Sequence, residues 1–210
     1  MAFLQYFLSN ASGKFHGNSD GVCLILASKS PRRAALLRQL GLDFLQEDAA
    51  IDEGQTAVCD PVQMVCELAE RKANAVQALH NRNREIILAA DTVVCMDGKI
   101  LGKPKSEQEA CEMLRMLSGG THQVYTGVCV RNLLDKRVEY ECTNVTFIPL
   151  NEELILRYVQ SGEARDKAGA YGIQGKAAVF VRRIEGCYYN VVGLPLYRTS
   201  QMLQDFGVYI

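Results

Sequence analysis

Val22 to Ala27 is an unbroken apolar run of strand length, followed at once by Ser28-Lys29-Ser30-Pro31 and by a segment in which Leu36, Leu37 and Leu40 recur at helical spacing. That order commits the start of the folded chain to strand, tight loop and helix. Ser30 has the side chain to cap the helix, and Pro31 occupies the first helical position, where its missing N–H costs nothing. Gly41 stands just past the last apolar residue as a stop.

The same alternation continues along the chain. A helix is predicted over Pro61 to His80, capped by Asp60, with Val62, Val65, Ala69, Ala73 and Val76 as its buried stripe and Lys72 beside it. Ile86 to Met96 reads as a buried strand that turns at Asp97-Gly98 into Lys99 to Leu101. Ser106 and Glu109 form a capping box ahead of a helix bearing Ala110, Met113, Leu114 and Leu117, which stops at Gly119-Gly120. Gln123 to Leu133 and Arg137 to Ile148 are expected to pair antiparallel, and Asn151 caps a helix that carries Leu154, Ile155, Tyr158 and Val159. After a glycine-rich loop from Asp166 to Gly175, a hairpin is predicted with arms Ala178 to Ile184 and Cys187 to Val192 turning at Glu185-Gly186, then a helix with Leu196, Thr199, Leu203 and Phe206. The class is α/β with a mixed sheet.

Composition removes several alternatives. No apolar run approaches the roughly 18 residues of a membrane span, so no membrane partner is expected. Lys plus Arg number 23 against 24 Asp plus Glu, and a net charge of -1 with no charge runs argues against a polymeric nucleic acid partner. The cysteines are scattered, mostly inside apolar stretches and without a CxxC pair, and read as reduced core thiols of a cytoplasmic protein. Residues 1–21 lack a basic n-region and read as a poorly ordered leader, leaving residues 22–210 as a single domain. The sequence leaves the oligomeric state open, with a homodimer as one possibility.

Several residues carry chemistry. Ser28-Lys29-Ser30-Pro31-Arg32-Arg33 places hydroxyls and two guanidinium groups at a strand-to-helix junction, where unpaired N–H groups and the helix dipole favour an anion such as phosphate. The competing reading is an ordinary solvated cap or an unstructured phosphorylation site. Asp91 ends an apolar run, so its carboxylate needs a metal, a water, a basic group or a neighbour such as Thr92 to offset burial. Lys72 and Lys103 can aim amines into one cleft or simply snorkel. Glu53 can share a divalent cation with Asp91 or be plain surface charge. The glycines of Asp166 to Gly175 let backbone approach a flat ligand while Gln174 offers an amide, unless the segment is only a surface loop. His16, His80 and His122 are too few and too separated for a histidine metal site, which leaves His122 as a packed residue or one that supports a site residue from behind.

Together, Ala27-Ser28-x-Ser30-Pro31-Arg32-Arg33, Glu53, Lys72-Ala73, Ala90-Asp91-Thr92, Gly102-Lys103-Pro104, Ser118-Gly119 with His122 and Thr126-Gly127, and Asp166-Lys167 through Tyr171-Gly172-Ile173-Gln174-Gly175 resemble the Maf family of nucleoside triphosphate pyrophosphatases in order and spacing from Val22 onward. The resemblance implies a mixed, twisted sheet flanked by helices in two lobes with a central cleft, similar to inosine triphosphate pyrophosphatases. It implies hydrolysis of a nucleoside triphosphate to the monophosphate and pyrophosphate; a divalent cation, Mg²⁺ or Mn²⁺, held by Glu53 and Asp91 is the accompanying expectation from the chemistry of those carboxylates. The resemblance further implies Asp91 as proton acceptor, Arg32, Thr92 and Gln174 as specificity positions, Glu53, Lys72 and Lys103 completing the active site, and Ser28 and Arg33 on phosphate. The Tyr171 to Gly175 loop resembles the dTTP and UTP subgroup. A nucleotide-binding regulator of cell division with little turnover, or a preference for 7-methyl-GTP or inosine triphosphate, are the alternatives.

Overall fold

The computed structural model describes residues 21–52, 59–82 and 84–210. The predicted leader, apart from Gly21, and Glu53 lie outside the described residues. In chain order the elements are β1 (Cys23–Ala27), α1 (Pro31–Gln39), β2 (Leu45–Glu47), α2 (Pro61–Gln77), β3 (Glu85–Met96), β4 (Lys99–Leu101), α3 (Glu107–Leu117), β5 (Thr121–Arg131), β6 (Lys136–Phe147), α4 (Glu152–Gln160), two 3₁₀ turns (Ala168–Ala170 and Lys176–Phe180), β7 (Val181–Glu185), α5 (Tyr188–Val192) and α6 (Leu196–Gln204).

The strands form one mixed sheet in the order β2-β1-β3-β5-β6-β7, with β4 pairing β3. β1 runs parallel to β2 and β3; β3 to β7 pair antiparallel. Side chains alternate between faces along each strand, and the core divides accordingly. Leu24, Leu26, Ile86, Leu88 and Ala90 pack into a large cluster with α1, α3, α4 and α6 on one face, whereas Ile25, Ala27, Ile87 and Ala89 pack with Ala69, Ala73 and Val76 of α2 on the other.

The helix starts follow from their caps. Ser30, Asp60, Ser106 and Asn151 each accept a hydrogen bond from the N–H three residues on. Glu109 completes its box one residue early, accepting from the Lys105 N–H at 2.6 Å. α2 stops at Gln77 rather than His80, because the chain leaves the helix to place His80 between Glu47 on β2 and Glu85 on β3, at 3.0 and 3.3 Å. That bridge fastens the short edge strand to the centre of the sheet. All eight thiols are free; Cys59 is exposed rather than part of the core.

The predicted hairpin over Ala178 to Val192 does not form. Val181–Glu185 is a strand, but it pairs with β6, Val145 opposite Ile184. Its supposed partner is the helix α5, closed by Gly193 at φ +118. The β-branched and aromatic residues of Cys187 to Val192 favour a strand locally, yet side chains from the sheet outbid that preference. Thr143 Oγ1 donates to the Cys187 carbonyl and accepts its N–H, both at 3.1 Å, and the Asn190 amide donates to Val124 O and Thr143 Oγ1 at 2.9 Å.

The cleft arises from unequal strand lengths. β1 pairs β3 only as far as Leu88, and β4 joins β3 only from Val94. Between these points one edge of β3 has no strand beside it, at the carboxyl end of β1, which is where open α/β sheets receive ligands. The parallel part of the sheet with α1 lies on one side of this opening, and the antiparallel part with its loops on the other. The mixed α/β sheet flanked by helices agrees with the expected fold class.

Candidate active site

Asp91 and Thr92 sit in that unpaired stretch of β3, and strand alternation turns them to opposite faces. Asp91 faces α2. There Val65, Leu68, Ala69, Lys72, Ala73 and Val76 repeat at three- and four-residue steps along the buried side, and Lys72 lies within the stripe rather than beside it. Its Nζ donates directly to Asp91 Oδ1, with both side chains only 10% exposed. A buried carboxylate is thereby matched by a buried ammonium, which offsets the large cost of removing either charge from water alone.

Gly127 makes this contact attainable. It is the β5 residue opposite Asp91, and a Cβ there would lie 2.3 Å from the Val65 carbonyl oxygen of α2. Absence of a side chain lets the helix lie against the strand pair, which brings Lys72, two turns further on, within reach of Asp91.

Thr92 faces the other way, toward α1. Arg33 spans the gap, donating from Nε to Gly193 O at 2.8 Å, from Nη1 to Ser28 Oγ at 3.2 Å and from Nη2 to Thr92 Oγ1 at 3.1 Å. Thr126 Oγ1 donates to Asn190 O at 3.1 Å, so the 2.9 Å bond between the two threonines has Thr92 as donor. The Thr92 proton is committed inward, and toward the cleft this hydroxyl is an acceptor only. Ser28 Oγ shows the reverse polarity. It accepts from Arg33 and from the Ser30 N–H at 3.2 Å, which leaves its own proton to be donated. A phosphate oxygen at the N-terminus of α1 is a suitable acceptor.

The glycine-rich segment closes the opposite side. Arg32 Nη1 donates to Asp166 Oδ2 at 2.9 Å, and Lys167 Nζ donates to Asp166 Oδ1 at 2.6 Å. Partial burial pushes the Asp166 pKa up, but these two cations outweigh it and hold the carboxyl at about 2. Gly169, at φ +65, donates its N–H to Gly102 O at 3.0 Å, and this bond ties the loop to the turn bearing Lys103. His122 supports the loop from inside the core. Its Nε2 and the Tyr171 hydroxyl are 2.8 Å apart, and both rings meet Phe147 edge-on.

The resulting cleft has a volume of about 660 Å³. Ser28, Arg32, Arg33, Lys72, Asp91, Thr92, Lys103 and the exposed Gln174 all line it. Every site residue expected from the sequence therefore meets in one cavity, except Glu53, which lies outside the described residues; its neighbours Ile51 and Asp52 line the wall. Sequence reasoning missed Asp166 and Lys167 as cleft residues, although their opposite charges at the start of a glycine-rich loop were a visible signal. It also missed that Arg33 braces Ser28 and Thr92.

Burial without a charged partner pushes the His122 pKa down to about 4. A folded-state value below that of the unfolded chain means that the unfolded state binds the extra proton first. Stability should be complete above the unfolded value near 6.5 and fall as pH drops toward about 4, by about 2 kcal/mol between pH 7 and 5 from this group. Denaturant titrations of the protein and of His122→Gln at both pH values test this. The pH-dependent loss should shrink by about that amount in the variant; equal losses would show that His122 does not carry it.

A family model described as Maf-like protein matches residues 23–206. A dTTP/UTP pyrophosphatase of Symbiobacterium thermophilum is 51% identical over 184 residues, covering 88% of this chain and 94% of its own length. Proteins of the same name from Bacillus pumilus and Clostridium perfringens are 48% and 46% identical, across 88% and 89% of this chain and 97% and 98% of theirs. The Staphylococcus aureus Ham1 protein superposes on 59% of this chain and 71% of its own with a TM-score of 0.43 at 13% identity, a likeness too loose to bear on the chemistry. With a model match from the first strand to the last helix and relatives at about half identity, this chain belongs to the Maf family.

Proposed function

We propose that this chain hydrolyses dTTP and UTP to the monophosphate and pyrophosphate. The observation that carries the reading is the buried Lys72–Asp91 pair in a cleft also lined by Arg32, Arg33 and Lys103, in a chain whose relatives are named dTTP/UTP pyrophosphatases. Lys72 holds Asp91 Oδ1, and the other carboxylate oxygen accepts a proton from water as that water attacks the α-phosphorus. The bond from that phosphorus to the bridging oxygen breaks, and pyrophosphate leaves with the electron pair. Ser28 donates its hydroxyl proton to a phosphate oxygen, and Arg32 and Lys103 offset charge on the triphosphate and the leaving group. Because Thr92 presents a lone pair only, it favours a ligand group that donates. The exposed Gln174 reads the base.

The cleft suits a hard divalent cation. Lys72 Nζ donates to Oδ1 of Asp91, and Asp52 lines the same cleft. Asp91 and Glu53, the latter outside the described residues, are the carboxylates that would hold Mg²⁺ or Mn²⁺ together with phosphate oxygens. A bound ion would add positive charge against the triphosphate. No described helix is long and apolar enough to cross a membrane.

The test is a panel of nucleotides in which pyrophosphate and inorganic phosphate are measured separately. The expected result is pyrophosphate from dTTP and UTP, label from ¹⁸O-water in the monophosphate, and turnover abolished by a chelator and restored by Mg²⁺ or Mn²⁺. Label in pyrophosphate would place attack on the wrong phosphorus. Tight nucleotide binding without turnover would favour the regulator, and faster hydrolysis of 7-methyl-GTP or inosine triphosphate would move the specificity. Activity unchanged by the chelator would remove the ion from the mechanism.

A further inference from the structure

Gln174 sits in a tight turn, Gly172-Ile173-Gln174-Gly175, closed by the Gly175 N–H donating to Gly172 O at 3.0 Å. Each glycine of that turn faces a charged side chain from one short upstream segment. A Cβ on Gly172 would lie 2.5 Å from the stem of Lys167, and a Cβ on Gly175 would lie 2.1 Å from Glu163 Oε2. The same Glu163 oxygen accepts the Lys176 N–H at 2.9 Å, immediately after the turn. Lys167 Nζ closes the clamp by donating to Glu163 O at 2.7 Å, and Tyr158 holds the near side by accepting the Gly172 N–H at 3.2 Å.

Glu163 does not line the cleft, so it has no direct route to a substrate. Its carboxylate instead occupies the space behind the turn that a larger residue at 175 would fill, and it fixes the backbone at the point where the chain leaves for the next 3₁₀ turn. We infer that Glu163, with the Lys167 stem, is a positioning residue for base discrimination: together they hold the turn that presents Gln174 to the nucleobase. This rests on the reading of Gln174 as the base-contacting residue. The inference concerns discrimination between bases and not the chemical step, because Asp91 and Lys72 are fixed by β3 and α2, which this clamp does not touch.

UTP and CTP are suitable probes, since they differ only at the Watson–Crick edge of the base. Glu163→Ala should lower the ratio of kcat/KM for UTP over CTP by roughly tenfold, the scale of one well-placed hydrogen bond. The change should appear in KM for UTP, with kcat close to the parent. Glu163→Gln keeps an oxygen for the Lys176 N–H and should restore the ratio. In the double variant with Gln174→Ala, loss of Glu163 should add little, because both changes act through one contact. If Glu163→Ala fails to fold, Glu163→Asp withdraws the carboxylate and applies the same test.

The outcomes separate the two layers. A UTP/CTP ratio unchanged in Glu163→Ala, or a fall in kcat alone, overturns the inference. Where Gln174→Ala itself lowers the ratio, a Glu163→Ala effect that adds fully to that loss overturns it as well. If Gln174→Ala leaves the ratio intact while Glu163→Ala lowers it, Gln174 is not the reader; the positioning role of Glu163 then stands, with the turn backbone making the contact.

Discussion

Asp91→Asn is expected to lower turnover of dTTP by about 10² to 10⁴-fold, the range associated with a general base. The substitution separates two roles of one side chain. The asparagine oxygen can still accept from Lys72, so the buried pair keeps its hydrogen bond and the cleft its shape. What disappears is an oxygen basic enough to take a proton from water. Single-turnover measurements should therefore show slow chemistry with nucleotide affinity changed far less. Parental turnover in this variant would exclude Asp91 as the base, and a loss confined to KM would recast it as a binding residue.

Gly127→Ala is expected to have the largest effect of any single added methyl group in the sheet. Its Cβ would meet a backbone carbonyl 2.3 Å away and the Cys66 nitrogen at 2.8 Å, and neither can swing aside as a side chain could. α2 must lift from β5, at a cost of about 1–3 kcal/mol or more for overpacking. For a chain of this length that corresponds to a fall in Tm of roughly 2–12 °C. Activity should fall even where the variant remains folded, because the same movement withdraws Lys72 from Asp91. Gly102→Ala is the control for stability, since a Cβ there meets nothing within 4 Å and its φ is ordinary. Similar Tm losses in both variants would mean that the helix is not seated on Gly127.

These two expectations differ in how far they were visible beforehand. Asp91 was legible because an acid directly after Ile86 to Ala90 violates the pattern of a buried strand, and a violation needs a compensating partner. The first strand, loop and helix were legible because Ser30, Pro31 and Gly41 mark their boundaries by backbone chemistry that acts locally. Lys72 was only half legible. Its helical spacing put it at the buried stripe, but nothing local identifies the carboxylate nineteen residues away that makes the burial tolerable. Gly127 carried no signal as a packing site, since the atom that requires it belongs to a different element. The segment from Cys187 to Val192 misled for the same reason. Its composition favours a strand, and its actual form is decided by Thr143 and Val124, which hold Cys187 and Asn190 from the sheet. Contacts between distant parts of the chain overrode local preference in each case.

The unequal lengths of β1 and β3 have a consequence for how such a chain can diversify. The acid and its lysine are anchored on a long central strand and the helix packed against it. On the proposed reading the nucleobase would meet connecting segments that line the cleft, residues 48–52 and 166–175. Replacements in those segments can alter which nucleobase is admitted while leaving the bond-breaking apparatus as it is, so selectivity and chemistry are free to drift under separate pressures.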